Sequence, residues 1–117
     1  MFVNLSNHPS EKWDKTQLEA AQVYGEVKDF TFPTISPNMS GDEVKKLAEK
    51  YAEMVLKEFG KDIIVHVMGE MTFTFMVVTR LKEMGIKCVA STTERKTTYN
   101  DDGTKISEFQ FVKFREY

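Results

Sequence analysis

Short β-branched or aromatic runs alternate along this chain with longer stretches of helical spacing, and glycines and prolines punctuate them. Phe2 to Leu5 is a first apolar run, broken at Ser6-Asn7-His8-Pro9. From Ser10 to Tyr24, the residues Trp13, Ala20, Ala21 and Tyr24 predict a helix that Gly25 stops. Ser10 or Thr16 would cap it, and Thr16 with Glu19 has capping-box spacing. A second strand is expected from Val27 to Phe32, ended by Pro33, with an irregular loop from Thr34 to Met39. Ser40 and Glu43 form a capping box ahead of Val44, Leu47, Ala48, Tyr51, Val55 and Phe59, which make the firmest helical stripe, closed by Gly60. Ile63-Ile64-Val65-His66-Val67 is nearly continuous and apolar, as in a central parallel strand buried on both faces. A third helix runs from Glu70 or Met71 to Met84, and Gly85 ends it. Lys87 to Ser91 then reads as a strand, Asp102-Gly103 as a turn, and Glu108 to Phe114 as a last strand antiparallel to its predecessor.

Strand-helix alternation implies one α/β domain over residues 1–117. Its form is a Rossmann-like three-layer sandwich with a mostly parallel sheet and a C-terminal antiparallel edge hairpin. Ligands of such sheets sit beyond the carboxyl ends of the strands. Four segments are therefore expected on one edge: Ser6 to Pro9, Pro33 to Met39, Met68 to Thr72, and Ser91 to Arg95.

Composition narrows the classes. With 117 residues, 41% hydrophobic and 29% charged, the chain has the material for one globular core. No apolar run approaches the roughly 20 residues that cross a bilayer, and the N-terminus lacks the pattern of a signal peptide. Cys88, the only cysteine, has no internal disulfide partner, so a reducing, cytoplasmic setting is expected. A net charge of −2 argues against long nucleic acid as a partner but leaves room for a short anionic ligand held by local donors. No G-x-G-x-x-G or Walker loop is present, the acids of a receiver domain are missing, and His8, His66 and Cys88 lack metal-ligand spacing. Neither a cofactor nor a metal is expected.

Three constellations remain, each with a plainer reading. Ser6-Asn7-His8 offers a hydroxyl, an amide and an imidazole beside a helix start, where it would contact an anion or simply make a turn. His8 is the only histidine in a predicted loop, whereas His66, inside an apolar strand, reads as a hydrogen-bonded core residue. In Met68-Gly69-Glu70-Met71-Thr72, Gly69 would admit close backbone approach, Thr72 would add a hydroxyl, and Glu70 would bind ligand or complement the helix end. The helix that follows is apolar on more than one side through Phe73, Phe75, Val77 and Val78, which favours a shared dimer face over full enclosure. Ser91-Thr92-Thr93-Glu94-Arg95 places three hydroxyls and a guanidinium at a strand end, suited to ribose and phosphate or merely to an exposed strand end.

The Asn4-to-Pro9 strand end, the His66-to-Thr72 junction and the Ser91-to-Arg95 stretch resemble small CRISPR-associated proteins with a stand-alone CARF-type domain, of the ring nuclease kind. The likeness spans nearly the whole chain as architecture, through short motifs. It implies a homodimer that binds a cyclic oligoadenylate, cyclic tetra-adenylate foremost, and cuts it with a ribose 2′-hydroxyl and no metal, switching off type III CRISPR signalling. Carried over, Arg95 would stabilise the phosphate and His8 would serve as acid or base. Ser6, Asn7, Thr92 and Thr93 would position the ribose-phosphate backbone, with Gly69, Glu70, Thr72 and Ser91 also at the pocket. The alternatives are a sensor or sink that holds the ring uncut, and a small enzyme acting on another nucleotide or phosphorylated metabolite.

Overall fold

The computed structural model describes all 117 residues. Its elements are β1 (Phe2–Ser6), α1 (Lys15–Gln22), β2 (Val27–Asp29), α2 (Gly41–Phe59), β3 (Ile64–Met68), α3 (Met71–Glu83), β4 (Lys87–Tyr99) and β5 (Lys105–Glu116), with a 3-10 turn at Ser10–Lys12. The strand order is β2-β1-β3-β4-β5. β1 runs parallel to β2 and β3, β4 runs parallel to β3, and β5 returns antiparallel along β4. The fold is therefore a Rossmann-like α/β sandwich, as the alternation of patterns implies. No helix is long and apolar enough to cross a membrane.

Side-chain alternation divides the core. Val3, Leu5, Val65 and Val67 join the larger cluster under α2 and α3, while Phe2 packs with Trp13, Ala21 and Val89 on the α1 side. Every residue of β1 is buried, which is why this strand and β3 read as apolar runs. The capping box of α2 forms as expected: Ser40 accepts from the Glu43 amide, and the Glu43 carboxylate accepts from the Ser40 amide.

The first helix departs from expectation. The 10–24 segment breaks at Trp13, whose backbone is extended, and α1 starts only after Asp14 caps it by accepting from the Gln17 amide at 2.8 Å. Neither Ser10 nor Thr16 is its cap. β2 also stops at Asp29, because Phe30 and Phe32 then turn toward α2 and α3, meeting the rings of Tyr51 and Phe59 and of Phe73, respectively.

The largest correction concerns β4. Expected to end at Ser91, it continues to Tyr99 and pairs with β5 along its whole outer length. The β-branched run Thr92, Thr93, Thr97 and Thr98 favours extended backbone, and Asn100 to Thr104 closes the hairpin. A bulge at Thr92/Thr93 marks where the ribbon leaves the body of the sheet; there the Thr92 hydroxyl donates to the Lys113 carbonyl and accepts from its amide. The radius of gyration is 16.1 Å, against about 13 Å for a compact chain of this length. The projecting ribbon accounts for the excess.

Gly69 follows β3 where the Phe32 ring packs so closely that a Cβ would fall inside its contact distance. Gly69→Ala is expected to cost about 1–3 kcal/mol in chemical denaturation, and the loss should shrink in a Phe32→Leu background. An unchanged midpoint would mean the ring swings aside freely.

Candidate functional site

Strand register sets Asp29, Asn4 and His66 side by side on β2, β1 and β3. They form a polar row across three parallel strands. Asn4 Nδ2 donates to Asp29 Oδ1 at 2.8 Å, and Asn4 Oδ1 lies 2.8 Å from His66 Nδ1. The carboxylate only accepts, so it fixes which end of the amide faces it. The amide oxygen likewise only accepts, so His66 carries its proton on Nδ1. His66 Nε2 is then bare and has no hydrogen-bond partner, enclosed by the rings of Phe2, Trp13 and Phe114.

The same amide holds the turn after β1. Its Nδ2 also donates to the His8 carbonyl at 3.0 Å, a group that the Trp13 indole reaches at 3.1 Å. Ser6 Oγ donates to Asn4 Oδ1 at 2.7 Å and accepts from the His8 amide. Asp29 in turn accepts from the Ser10 amide and hydroxyl. Burial raises the Asp29 pKa, but the hydrogen bonds from Asn4 and Ser10 outweigh it and hold the carboxyl below its ordinary value.

This scaffold opens on a cleft of about 440 Å³ at the carboxyl ends of β1 and β2, lined by Asn4, Ser6, Asn7, Asp29, Thr31 and Thr34 among others. Its only charge is Asp29, which keeps a free acceptor site on Oδ2. The cleft is therefore built to receive hydroxyl or amine donors more than phosphate. A larger groove of about 840 Å³ runs between α2 and α3, walled by solvated lysines and glutamates and spanned by the Arg80–Glu53 ion pair, while Glu83 pairs with Arg80 along α3 itself. It lacks any comparable positioned network.

A family model described as the uncharacterized protein MJ1673 family matches residues 1–115. The chain belongs to the MJ1673 family. No curated protein matches it. The family match takes in the polar row, the cleft and nearly all of the projecting hairpin.

In this MJ1673-family protein the sequence-expected residues fall into separate places. Ser6 and Asn7 line the cleft, and the Asn7 amide also bonds the Met68 carbonyl. The His8 backbone is clipped at both ends, while its exposed imidazole makes no hydrogen bond. The Glu70 carboxylate caps α3, accepting from the amides of Phe73 and Thr72 and from the Thr72 hydroxyl, so the donors an anion would use there are already engaged. Those bonds, led by the one from the Phe73 amide, lower its pKa. Gly69 makes room for Phe32.

Ser91 to Arg95 does not form a strand end. Continuing the β3–β4 register brings Ser91 level with Met68. Arg95 stands four residues further out, about 13 Å beyond that row, where its Nη2 donates to Ser107 Oγ. Three segments therefore meet at the sheet edge, and within one chain His8 and Arg95 are not gathered. Cys88 is buried, and burial pushes its thiol up to about 12, which makes it inert.

Asn4, Asp29 and Ser10 are not among the site residues expected from sequence. Asn4 carried a signal, because an amide within Phe-Val-Asn-Leu, in a strand buried on both faces, requires a partner. That partner lies on neighbouring strands, invisible to spacing along the chain.

Burial lowers the His66 pKa from 6.5 to about 4, and nearby His8 adds to the shift. The unfolded chain binds that proton more readily between those two values. Stability is thus fully present above pH 6.5, declines as pH falls toward 4, and levels off below. The decline attributable to His66 is expected to be about 3 kcal/mol. Urea denaturation across this range should show the slope in the wild type and a flatter profile in His66→Gln. Equal slopes would remove His66 as the cause.

Proposed function

We propose that this protein binds a cyclic oligoadenylate at the carboxyl edge of its sheet, as half of a two-fold dimer in the cytoplasm, and opens the ring without a metal. The observation that carries this reading is the positioned, solvent-open polar cleft at the ends of β1 and β2, on the edge past which β4 carries its hydroxyls and Arg95. Asp29 Oδ2 and the Ser6–Asn7 turn suit the amine of an adenine and the hydroxyls of a ribose, which are donors. The phosphates, repelled by Asp29, face outward toward the guanidinium side of the edge.

Cleavage then needs no protein nucleophile. The ribose 2′-oxygen forms a bond to the adjacent phosphorus as the bond to the 5′-oxygen breaks. The 2′-proton leaves to a base, a proton is delivered to the departing 5′-oxygen, and a cyclic phosphate end remains. Holding the 2′-oxygen in line supplies most of the gain, and Arg95, which within one chain stands beyond the cleft, offsets charge on the phosphate from the second subunit of the dimer. His8, exposed beside the cleft, is the proton carrier. One feature favours holding without cutting: the His8 ring has no hydrogen-bonded neighbour to orient it. A non-cleaving sensor or sink is accordingly the second reading.

Purified protein incubated with cyclic tetra-adenylate in excess chelator should yield linear fragments ending in a cyclic phosphate, resolved by chromatography and mass. His8→Ala is expected to slow the reaction about 10²- to 10⁴-fold, and Arg95→Ala to weaken both binding and rate. Binding of an intact ring would establish the sink. No binding of either the tetramer or the hexamer would overturn the cyclic-nucleotide reading.

A further inference from the structure

The polar row and the β4–β5 hairpin are joined along one face of the sheet. Asp29, Asn4 and His66 follow one another through contacts of 2.8 Å, the His66 ring meets Phe114 at 5.3 Å, and Phe114 meets Phe111 at 4.8 Å. Past the bulge, alternation keeps on this face the pairs Thr93↔Phe111, Arg95↔Phe109, Thr97↔Ser107 and Tyr99↔Lys105. Phe111 is half-buried, and the rest are exposed, Tyr99 and Phe109 at 72% each.

Two of these pairs repeat one arrangement. In each, a cation stands directly across from an aromatic ring, Arg95 from Phe109 and Lys105 from Tyr99. The two rows are about 13 Å apart, with the hydroxyls of Thr97 and Ser107 between them. The face holds no acid. Glu94 and Glu108 lie on the opposite face with Lys96, and Asp101 and Asp102 sit in the turn, where Asp102 accepts from the Thr104 amide. The ion pairs of the molecule are all elsewhere, so no neighbour neutralises either cation. The Arg95 guanidinium donates to Ser107 Oγ alone, which leaves most of its fork for another acceptor.

Exposed rings alone would suit another protein surface. Unpaired cations set across from each ring call for an anion as well, and a nucleotide supplies both a flat base and a phosphate. With two cations on the face and a chain net of −2, that ligand is short. We propose that the arm is the base-stacking half of the cyclic oligoadenylate site: Phe109 and Tyr99 stack adenines, and Lys105 joins Arg95 on the phosphates. This rests on the cyclic oligoadenylate reading and extends it, because the cleft serves amines and hydroxyls and leaves the faces of the bases unheld. Each arm stands beyond the cleft of its own chain, so it meets the ring held by the cleft of the second subunit.

The exposed apolar pair on α3, Met71 and Phe75, does not offer this chemistry. Val78 is buried in the core, and Phe75 lies in the α2–α3 groove among mixed lysines and glutamates, where Arg80 is already paired.

Isothermal titration with cyclic tetra-adenylate tests the arm, in a His8→Ala background so that the ring stays intact. Phe109→Ala and Tyr99→Ala are each expected to weaken binding about 5- to 150-fold. Phe109→Tyr, which keeps a flat ring, should bind as the parent does. Lys105→Ala should weaken binding and flatten the slope of log Kd against log salt by about 0.7, the share of one phosphate contact on a single strand. Lys96→Ala and Ile106→Ala, on the opposite face, should change neither. All the substituted side chains are exposed, and far-ultraviolet circular dichroism should be the same throughout. Ring binding that no Phe109, Tyr99 or Lys105 variant weakens would overturn the arm's role and leave the cleft reading standing. Equal losses from the two faces would overturn it too. No binding of the ring by either the parent or the wild type would remove the cyclic oligoadenylate reading and the arm's role with it. Single-stranded RNA held where the ring is not, and lost in Phe109→Ala, would assign the arm to RNA instead.

Discussion

The Asn4 amide is the constraint on which the working edge depends. Both its ends are committed, the oxygen to His66 and Ser6 and the nitrogen to Asp29 and the His8 carbonyl. Through these bonds one buried side chain ties together β1, β2, β3 and the turn that follows β1. Removing it would leave the buried His66 imidazole without its only hydrogen-bond partner, and such a loss costs more than the bond itself contributes. The cleft depends on this clasp, because Asn4 and two of its partners, Ser6 and Asp29, line it.

The amide also determines which chemistry the edge presents. By occupying one Asp29 oxygen together with Ser10, it holds the carboxyl below its ordinary pKa and leaves acceptor capacity on a residue that lines the cleft. By holding His66 in the Nδ1–H form, it turns the bare nitrogen into an aromatic enclosure, away from solvent. The two histidines thus divide their roles: His66 is a neutral structural member, and His8 alone presents an imidazole to solvent.

Much of the fold is legible in the sequence because it rests on local rules. The α2 stripe with its Ser40–Glu43 box, the apolar β3 run and the Asp102-Gly103 turn each announce themselves within a few residues. What escapes is decided by residues distant along the chain. Trp13 is drawn out of a helix to reach the His8 carbonyl and the rings of Phe2 and His66. β4 outruns its apolar segment because β5 is present to pair with it, and no periodicity within Ser91–Arg95 reports that partner. The site followed the same division. Ser6 and Asn7 were found from the turn they make, whereas Asp29 became meaningful only through strand register. Glu70, for its part, stands as the helix cap its position allowed.

The hairpin is the most local β pairing in the molecule, since Asn100–Thr104 joins adjacent segments while every parallel pairing closes over a long intervening stretch. Local ribbons form early and parallel sheets late. In refolding of the whole chain the stripe of Phe109, Phe111 and Phe114 is therefore displayed before the core that shelters its inner end has closed. Such an interval invites strand-to-strand aggregation. Glu94, Lys96 and Glu108, together on the opposite face, set charge against such pairing.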